Sequence, residues 1–207
     1  SATFELGRVA AELSAARRAA AERLGESMAT VLPELGLSGA AFVVGLSSHE
    51  SVSAGGAESV EFRVAPNEGF DPMPLSRIAS GGELSRIMLA LKSILATVDR
   101  VPVLIFDEID SGVGGVVATS VAAKLAEVAG RHQVFVVTHL PQVASRAHSH
   151  LLVEKEAGQG VTTTMVRTLR GDDRVEEVAR MLGGDPESRA SRDHARELLE
   201  AAGHGAA

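Results

Sequence analysis

The sequence of 207 residues predicts an α/β fold, a mainly parallel sheet with flanking helices. Three observations carry that expectation. Two short apolar runs, residues 101–106 and 133–138, have the length and continuity of buried parallel strands. A helical stretch, residues 116–128, separates them. Both runs lead into polar residues, Asp107-Glu108 and Thr138-His139, and ligands of open α/β sheets sit at the carboxyl ends of the strands.

The elements follow in order. Leu6, Val9, Leu13, Ala16 and Ala20 alternate spacings of three and four, the rhythm of a coiled-coil seam, with Arg8, Glu12, Arg17, Arg18, Glu22 and Arg23 on the other faces. A single amphipathic helix packed on its own domain fits the same pattern. Leu24, Met28, Val31 and Leu35 continue the apolar face to Pro33 and Gly36, where the helix should stop. Residues 41–46 and 60–64 read as strands, and the Ser/Gly/Ala-rich turn at 51–57 suggests an antiparallel pair. Asn67-Glu68-Gly69 and Asp71-Pro72 mark a loop. Ile87, Leu89, Leu91, Leu95 and Val98 give a long apolar helix, followed by the strand at 101–106, the helix at 116–128 and the strand at 133–138. A short helix at 141–146, strands near 151–154 and 162–168, and helices at 175–182 and 188–202 complete the reading, with a tail expected to fray. Residues 1–35 are expected to end a coiled-coil arm and residues 36–207 to form the globular part. Ser1 falls inside a helical repeat and reads as a cut in a longer protein.

Composition narrows the classes. Six Phe, with no Trp or Tyr, imply an aliphatic core and remove the usual stacking platforms for single-stranded nucleic acid. Lys and Arg number 20 against 27 Asp and Glu, and the formal charge of −7 excludes a uniformly basic surface while leaving room for a local basic strip. The absence of Cys excludes disulfides and thiolate metal sites and agrees with a reducing cytoplasm. No apolar run approaches the roughly 20 residues that span a bilayer, so no membrane partner is expected.

The candidate chemistry starts at Ser80-Gly81-Gly82-Glu83, where a helix opens. A helix N-terminus offers unpaired N–H groups and the positive end of the dipole, the glycines admit a phosphate close to the backbone, and Ser80 adds a hydroxyl. Ser80 and Glu83 also fit an ordinary capping box, which is compatible. This is an ABC-type signature pattern, and residues 103–108 form a Walker B pattern. Asp107 suits Mg²⁺, a hard ion that bridges phosphates, though it could instead cap the following turn. Glu108 is the candidate general base for water attacking a γ-phosphate, and His139 the candidate contact to that phosphate. Three glycines in the run Asp110-Ser111-Gly112-Val113-Gly114-Gly115 imply an unusual backbone or close approach by another chain, with a plain turn as the simpler account. No G-x-x-x-x-G-K-[ST] phosphate loop occurs in the sequence. His148 and His150 have no acidic partner in sequence and make a poor metal site. Arg17, Arg18 and Arg23 could meet DNA phosphates but fit a solvated helix face better.

Signature, Walker B, glycine-rich D-loop and switch His, in that order, resemble the ABC ATPases. Within them the strings Ile78-Ala79-Ser80-Gly81-Gly82-Glu83-Leu84-Ser85-Arg86, Phe106-Asp107-Glu108-Ile109-Asp110-Ser111-Gly112 and Val137-Thr138-His139-Leu140-Pro141-Gln142 are similar to the C-terminal half of the RecN family, SMC-like proteins of DNA double-strand-break repair. The resemblance implies the C-terminal lobe of an ABC-type, P-loop NTPase-like head with a coiled-coil stub, in the bacterial cytoplasm at the nucleoid. It implies ATP and Mg²⁺ as cofactors, and as partners the N-terminal half-head of the same protein, a second copy docked through signature loops, and DNA. By the same resemblance Ser80, Gly81, Gly82, Glu83, Asp110 and Gly112 would form the nucleotide contacts, Asp107 would hold the metal, and Glu108 and His139 would be catalytic. Because the family carries its phosphate loop in the other half, the isolated chain is expected to be inactive. A non-catalytic interaction scaffold and a chromosome-organising SMC head are the competing readings.

Overall fold

The computed structural model describes residues 2–158, 161–183, 185 and 188–203. The expected tail beyond residue 203 lies outside them. The chain starts with a 33-residue helix, α1 (Ala2–Glu34). Its two halves behave differently. Phe4, Leu6, Val9 and Leu13 are exposed, whereas Met28, Leu32 and the following Leu35 are wholly buried. The helix closes with Leu37 N–H donating to Leu32 O at 3.0 Å and Gly36 in the left-handed region at φ 76°. A Cβ at Gly36 would lie 2.9 Å from Val117 Cγ1, so glycine meets both demands.

Next come β1 (Ala41–Ser53) and β2 (Gly56–Ala65), paired antiparallel as the turn composition implied, with β3 (Met73–Pro74) added to β2. The hairpin tip grips the outer half of α1. Arg17 donates to Gly55 O at 2.7 Å and Glu58 O at 3.4 Å, and Glu58 lies under both Arg17 and Arg18. Arg17 thus packs on the protein's own backbone instead of forming part of a solvated face.

A 3₁₀ turn, Leu75–Arg77, leads into α2 (Gly81–Leu95). α3 (Gly115–Ala129) joins β4 (Val103–Phe106) to β5 (Gln133–Val136), and these two strands pair in parallel, Phe106 opposite Val136. The inner half of α1 with α2, α3 and one face of this pair encloses the main core, including Ile87, Leu89, Leu104, Phe106, Val121 and Val128.

The α/β class and flanking helices are as expected, but two details differ. The parallel part is a single pair, because β4 and β5 are the only described strands in that sheet while the other five pair antiparallel. Nor is β4 buried on both faces. Leu104 and Phe106 point into the core, whereas Ile105 is 73% exposed and Val103, Phe135 and Val137 are open beside it. The described helices cover one face only. A groove of about 250 Å³ runs between α2 and β4, lined by Leu84, Met88, Lys92 and Ile105 among others.

The short helix α4 (Pro141–Ala144), the antiparallel pair β6 (His150–Gly158) and β7 (Val161–Leu169), and helices α5 (Gly171–Met181) and α6 (Arg189–Ala201) complete the chain. α5 and α6 form a second small core around Val175, Val178, Ala195 and Leu199. Arg174 fastens it to the rest by donating to Ala144 O, Ser145 O and Ala147 O at 3.2, 3.1 and 2.6 Å. Among the described residues, no helix is long and apolar enough to cross a membrane.

Candidate functional site

Parallel pairing delivers both polar strand ends to one edge of the sheet. Val137 N–H extends the ladder to Phe106 O at 3.0 Å, so Asp107-Glu108 and Thr138-His139 emerge side by side. The signature sequence arrives from the neighbouring helix. Ser80 is extended at φ −91°, ψ 115°, and its Oγ accepts Glu83 N–H at 3.3 Å, a standard N-cap that fixes where α2 begins. Gly81 and Gly82 then meet the loop after β4 at close range. A Cβ on Gly81 would run into Glu108 Oε2, and one on Gly82 would lie 2.9 Å from both Glu108 O and Ser111 Cβ. Gly82 is required by contact with the chain itself, a reason separate from any phosphate, whereas the Glu108 side chain over Gly81 can move aside.

Two side chains of α2 hold that loop. Ser85 Oγ donates to Asp107 O at 2.7 Å, and Arg86 Nη1 donates to Ser111 O at 3.0 Å and to Ile109 O at 3.4 Å. Arg86 is 7% exposed, and burial pushes its pKa down, partly offset by the charge of Glu83. Sequence reasoning gave Arg86 no role. The available signal was a lone cation directly before the apolar run that starts at Ile87.

Asp107 and Glu108 are both exposed. Asp107 Oδ1 accepts Glu108 N–H at 2.9 Å, so the turn-capping role coexists with a second oxygen free for a cation. No group of three or more His, Asp or Glu suited to a metal occurs among the described residues. One carboxylate nevertheless fits Mg²⁺, which characteristically takes one or two protein oxygens and fills its shell with water and phosphate. Glu108 has φ 56°, the only positive value at a non-glycine among the described residues. For an L-residue that conformation costs about 1–2 kcal/mol. It aims the backbone so that the Glu108 side chain lies over Gly81.

Asp110 is bonded within the chain. It is 4% exposed, and its Oδ2 accepts Thr138 Oγ1–H at 2.6 Å and His139 N–H at 2.8 Å while lying 3.0 Å from His139 Nδ1. The Oδ2 edge of this carboxylate is thus taken up within the chain by the end of the second strand. The cause is the close approach of the two strand ends, which turns Asp110 inward. Gly112, at φ 69°, is exposed with open space where a Cβ would stand, leaving room for another molecule. His139 is 74% exposed. His148 and His150 join no metal cluster.

The chain is 47% identical to the DNA repair protein RecN of Deinococcus radiodurans over 195 residues, 94% of this chain and 34% of that protein. It is 43% identical to RecN of Streptomyces coelicolor over 210 residues, 96% of this chain and 37% of that one. The chain is a relative of RecN. It spans about a third of the length of the RecN proteins it matches, consistent with a C-terminal portion of RecN. No family model matches the chain. Among solved structures, the Smc head domain with a coiled coil and joint from Pyrococcus yayanosii superimposes with a TM-score of 0.51 at 20% identity, covering 78% of this chain and 29% of that one. At that identity the likeness is one of fold, that of an Smc head domain.

Proposed function

We propose that this chain is the C-terminal ATPase half-head of an SMC-like DNA repair protein. The observation that carries the reading is the meeting of Asp107, Glu108 and His139 at the ends of adjacent parallel strands, in a relative of RecN. In this reading Asp107 holds Mg²⁺, Glu108 orients and deprotonates the attacking water, and His139 faces the γ-phosphate of ATP. Ser80, Gly81, Gly82 and Glu83 form the α2 N-terminus offered to ATP on a second copy, with Gly112 at the same contact. Residues 1–35 are the end of a coiled-coil arm, which the exposed Phe4, Leu6, Val9 and Leu13 support, and residues 36–207 are the half-head. The bare β4–β5 face is the seat of the N-terminal half-head, which supplies the phosphate loop absent from this sequence. DNA is the further partner, and the bacterial nucleoid the place of action.

The chain alone should turn over no ATP. Mixed with a segment carrying the phosphate loop, it should hydrolyse ATP in a Mg²⁺-dependent, DNA-stimulated way, with Glu108→Gln lowering kcat by about 10²-fold or more. Turnover by the isolated chain that Glu108→Gln abolishes would remove the half-site reading. A stable assembly with no turnover would favour a scaffold.

A further inference from the structure

The Asp110 carboxylate is the most enclosed acidic group at the site. Three neighbours converge on its Oδ2. Thr138 Oγ1 accepts Leu140 N–H at 3.0 Å, which leaves the hydroxyl proton to point at Asp110 Oδ2, 2.6 Å away. The backbone N–H of His139 donates to the same oxygen at 2.8 Å. The third neighbour is His139 Nδ1 at 3.0 Å. A carboxylate oxygen this close repels a ring lone pair, which favours the tautomer with the proton on Nδ1. Asp110 is itself anchored, because Arg86 binds the carbonyls of Ile109 and Ser111 on either side of it.

We propose that Asp110 is a positioning residue that fixes the tautomer and orientation of His139, leaving Nε2 outward toward an anionic phosphoryl oxygen. This deepens the ATPase reading and rests on it. In the neutral ring so held, Nε2 carries a lone pair, and its contact with a phosphoryl oxygen requires a second proton on the ring. That protonation leaves the Nδ1 contact in place, so the ring need not turn. The backbone N–H bond to the same oxygen fixes the main chain at His139 and removes the remaining freedom. Serine hydrolases divide the work in the same way between a buried Asp and an exposed His edge. The chain of contacts also runs from the signature helix through Arg86 to Asp110 and on to His139, so α2 and the His are joined through one loop.

The test has two arms. Nitrogen-15 spectra of the histidine rings of the chain, at mildly alkaline pH where imidazoles are neutral, report the tautomer, with His139→Gln identifying the resonance. The wild-type chain should show His139 protonated at Nδ1, and Asp110→Ala should move it toward the Nε2-protonated form favoured by free imidazole. A wild-type His139 protonated mainly at Nε2 overturns the proposal, and this holds even if Asp110→Ala fails to fold. In the second arm the chain is assembled with its phosphate-loop half, and Asp110→Ala should lower kcat by at least about tenfold with KM for ATP little changed. A raised KM with unchanged kcat would return Asp110 to the nucleotide and overturn the proposal, as would wild-type kcat. Absence of turnover in the wild-type assembly would remove the ATPase reading, and the tautomer would then decide the Asp110–His139 pairing by itself.

Discussion

Gly81 and Gly82 are adjacent, both face the loop after β4, and differ in what they face. The neighbour of Gly81 is the end of a flexible, exposed side chain, Glu108, which can move aside. The neighbours of Gly82 are the Glu108 carbonyl oxygen and Ser111 Cβ, which move only with the backbone. Gly82→Ala should therefore cost about 1–3 kcal/mol of stability, and Gly81→Ala less than about 1 kcal/mol, measured by urea denaturation. Equal costs would contradict the packing described. A second residue carries a pH dependence. His150 is half-buried, and desolvation pushes its pKa below the usual imidazole value, with the Arg174 charge acting in the same direction and Glu177 opposing it. Because the folded value is the lower one, protonation favours the unfolded chain. Stability from this group is complete above about pH 6.5 and falls as the pH drops below it. The urea midpoint should fall on acidification, and His150→Gln should reduce that fall. At this scale the residues nearest the proposed chemistry were legible because their types are restrictive: an acidic pair, a His and two glycines after apolar runs. The contacts of Asp110 and Arg86 were not legible, since both depend on what they touch across the chain, and that depends on how the strand ends converge.

Among the elements, α1 shows how one helix can serve two environments. Its outer turns present Phe4, Leu6, Val9 and Leu13 to solvent, and its inner turns send Met28 and Leu32 into the core. Met28→Ala should accordingly cost about 2–5 kcal/mol, while Leu6→Ala should stay within about 0.5 kcal/mol, both read from denaturation midpoints. Apolar residues recur at intervals of three or four along the whole helix, which is why periodicity left a coiled-coil arm and a packed helix both open. Burial distinguishes the halves, and burial is a tertiary property. The strands show the reverse limit. Continuous apolar runs mark β4 and β5 clearly, but such a run carries no record of whether one face or both will be covered by the same chain. Pro102 also shortens the first run, for its nitrogen has no hydrogen to give and the observed strand starts at Val103.

For the whole molecule the dominant feature is the open side of the parallel pair, where Val103, Ile105, Phe135 and Val137 lie together. Parallel strands are ordinarily covered on both faces. Ile105→Glu should leave the stability of the chain within about 0.5 kcal/mol, since the side chain is already exposed. It should prevent co-elution with the phosphate-loop half on size exclusion, whereas unimpaired co-elution would place the interface elsewhere. The last consequence is mechanical and comes from the way α1 is held. Arg17 clamps it to the hairpin tip, and Met28 clamps it in the core about 16 Å further along. Leu13 lies against Gly56 of the hairpin and Ser14 and Ala10 are buried as well, so the free end begins beyond Ala10 and extends about 12 Å. A beam held at two points cannot swivel at either one alone, so a sideways pull on its tip is passed on to the inner clamp. The inner clamp shares its packing with α2, the helix whose first turn carries Ser80 and Gly82. Bending the arm therefore loads the footing of the signature loop directly, with no hinge between them to absorb the strain.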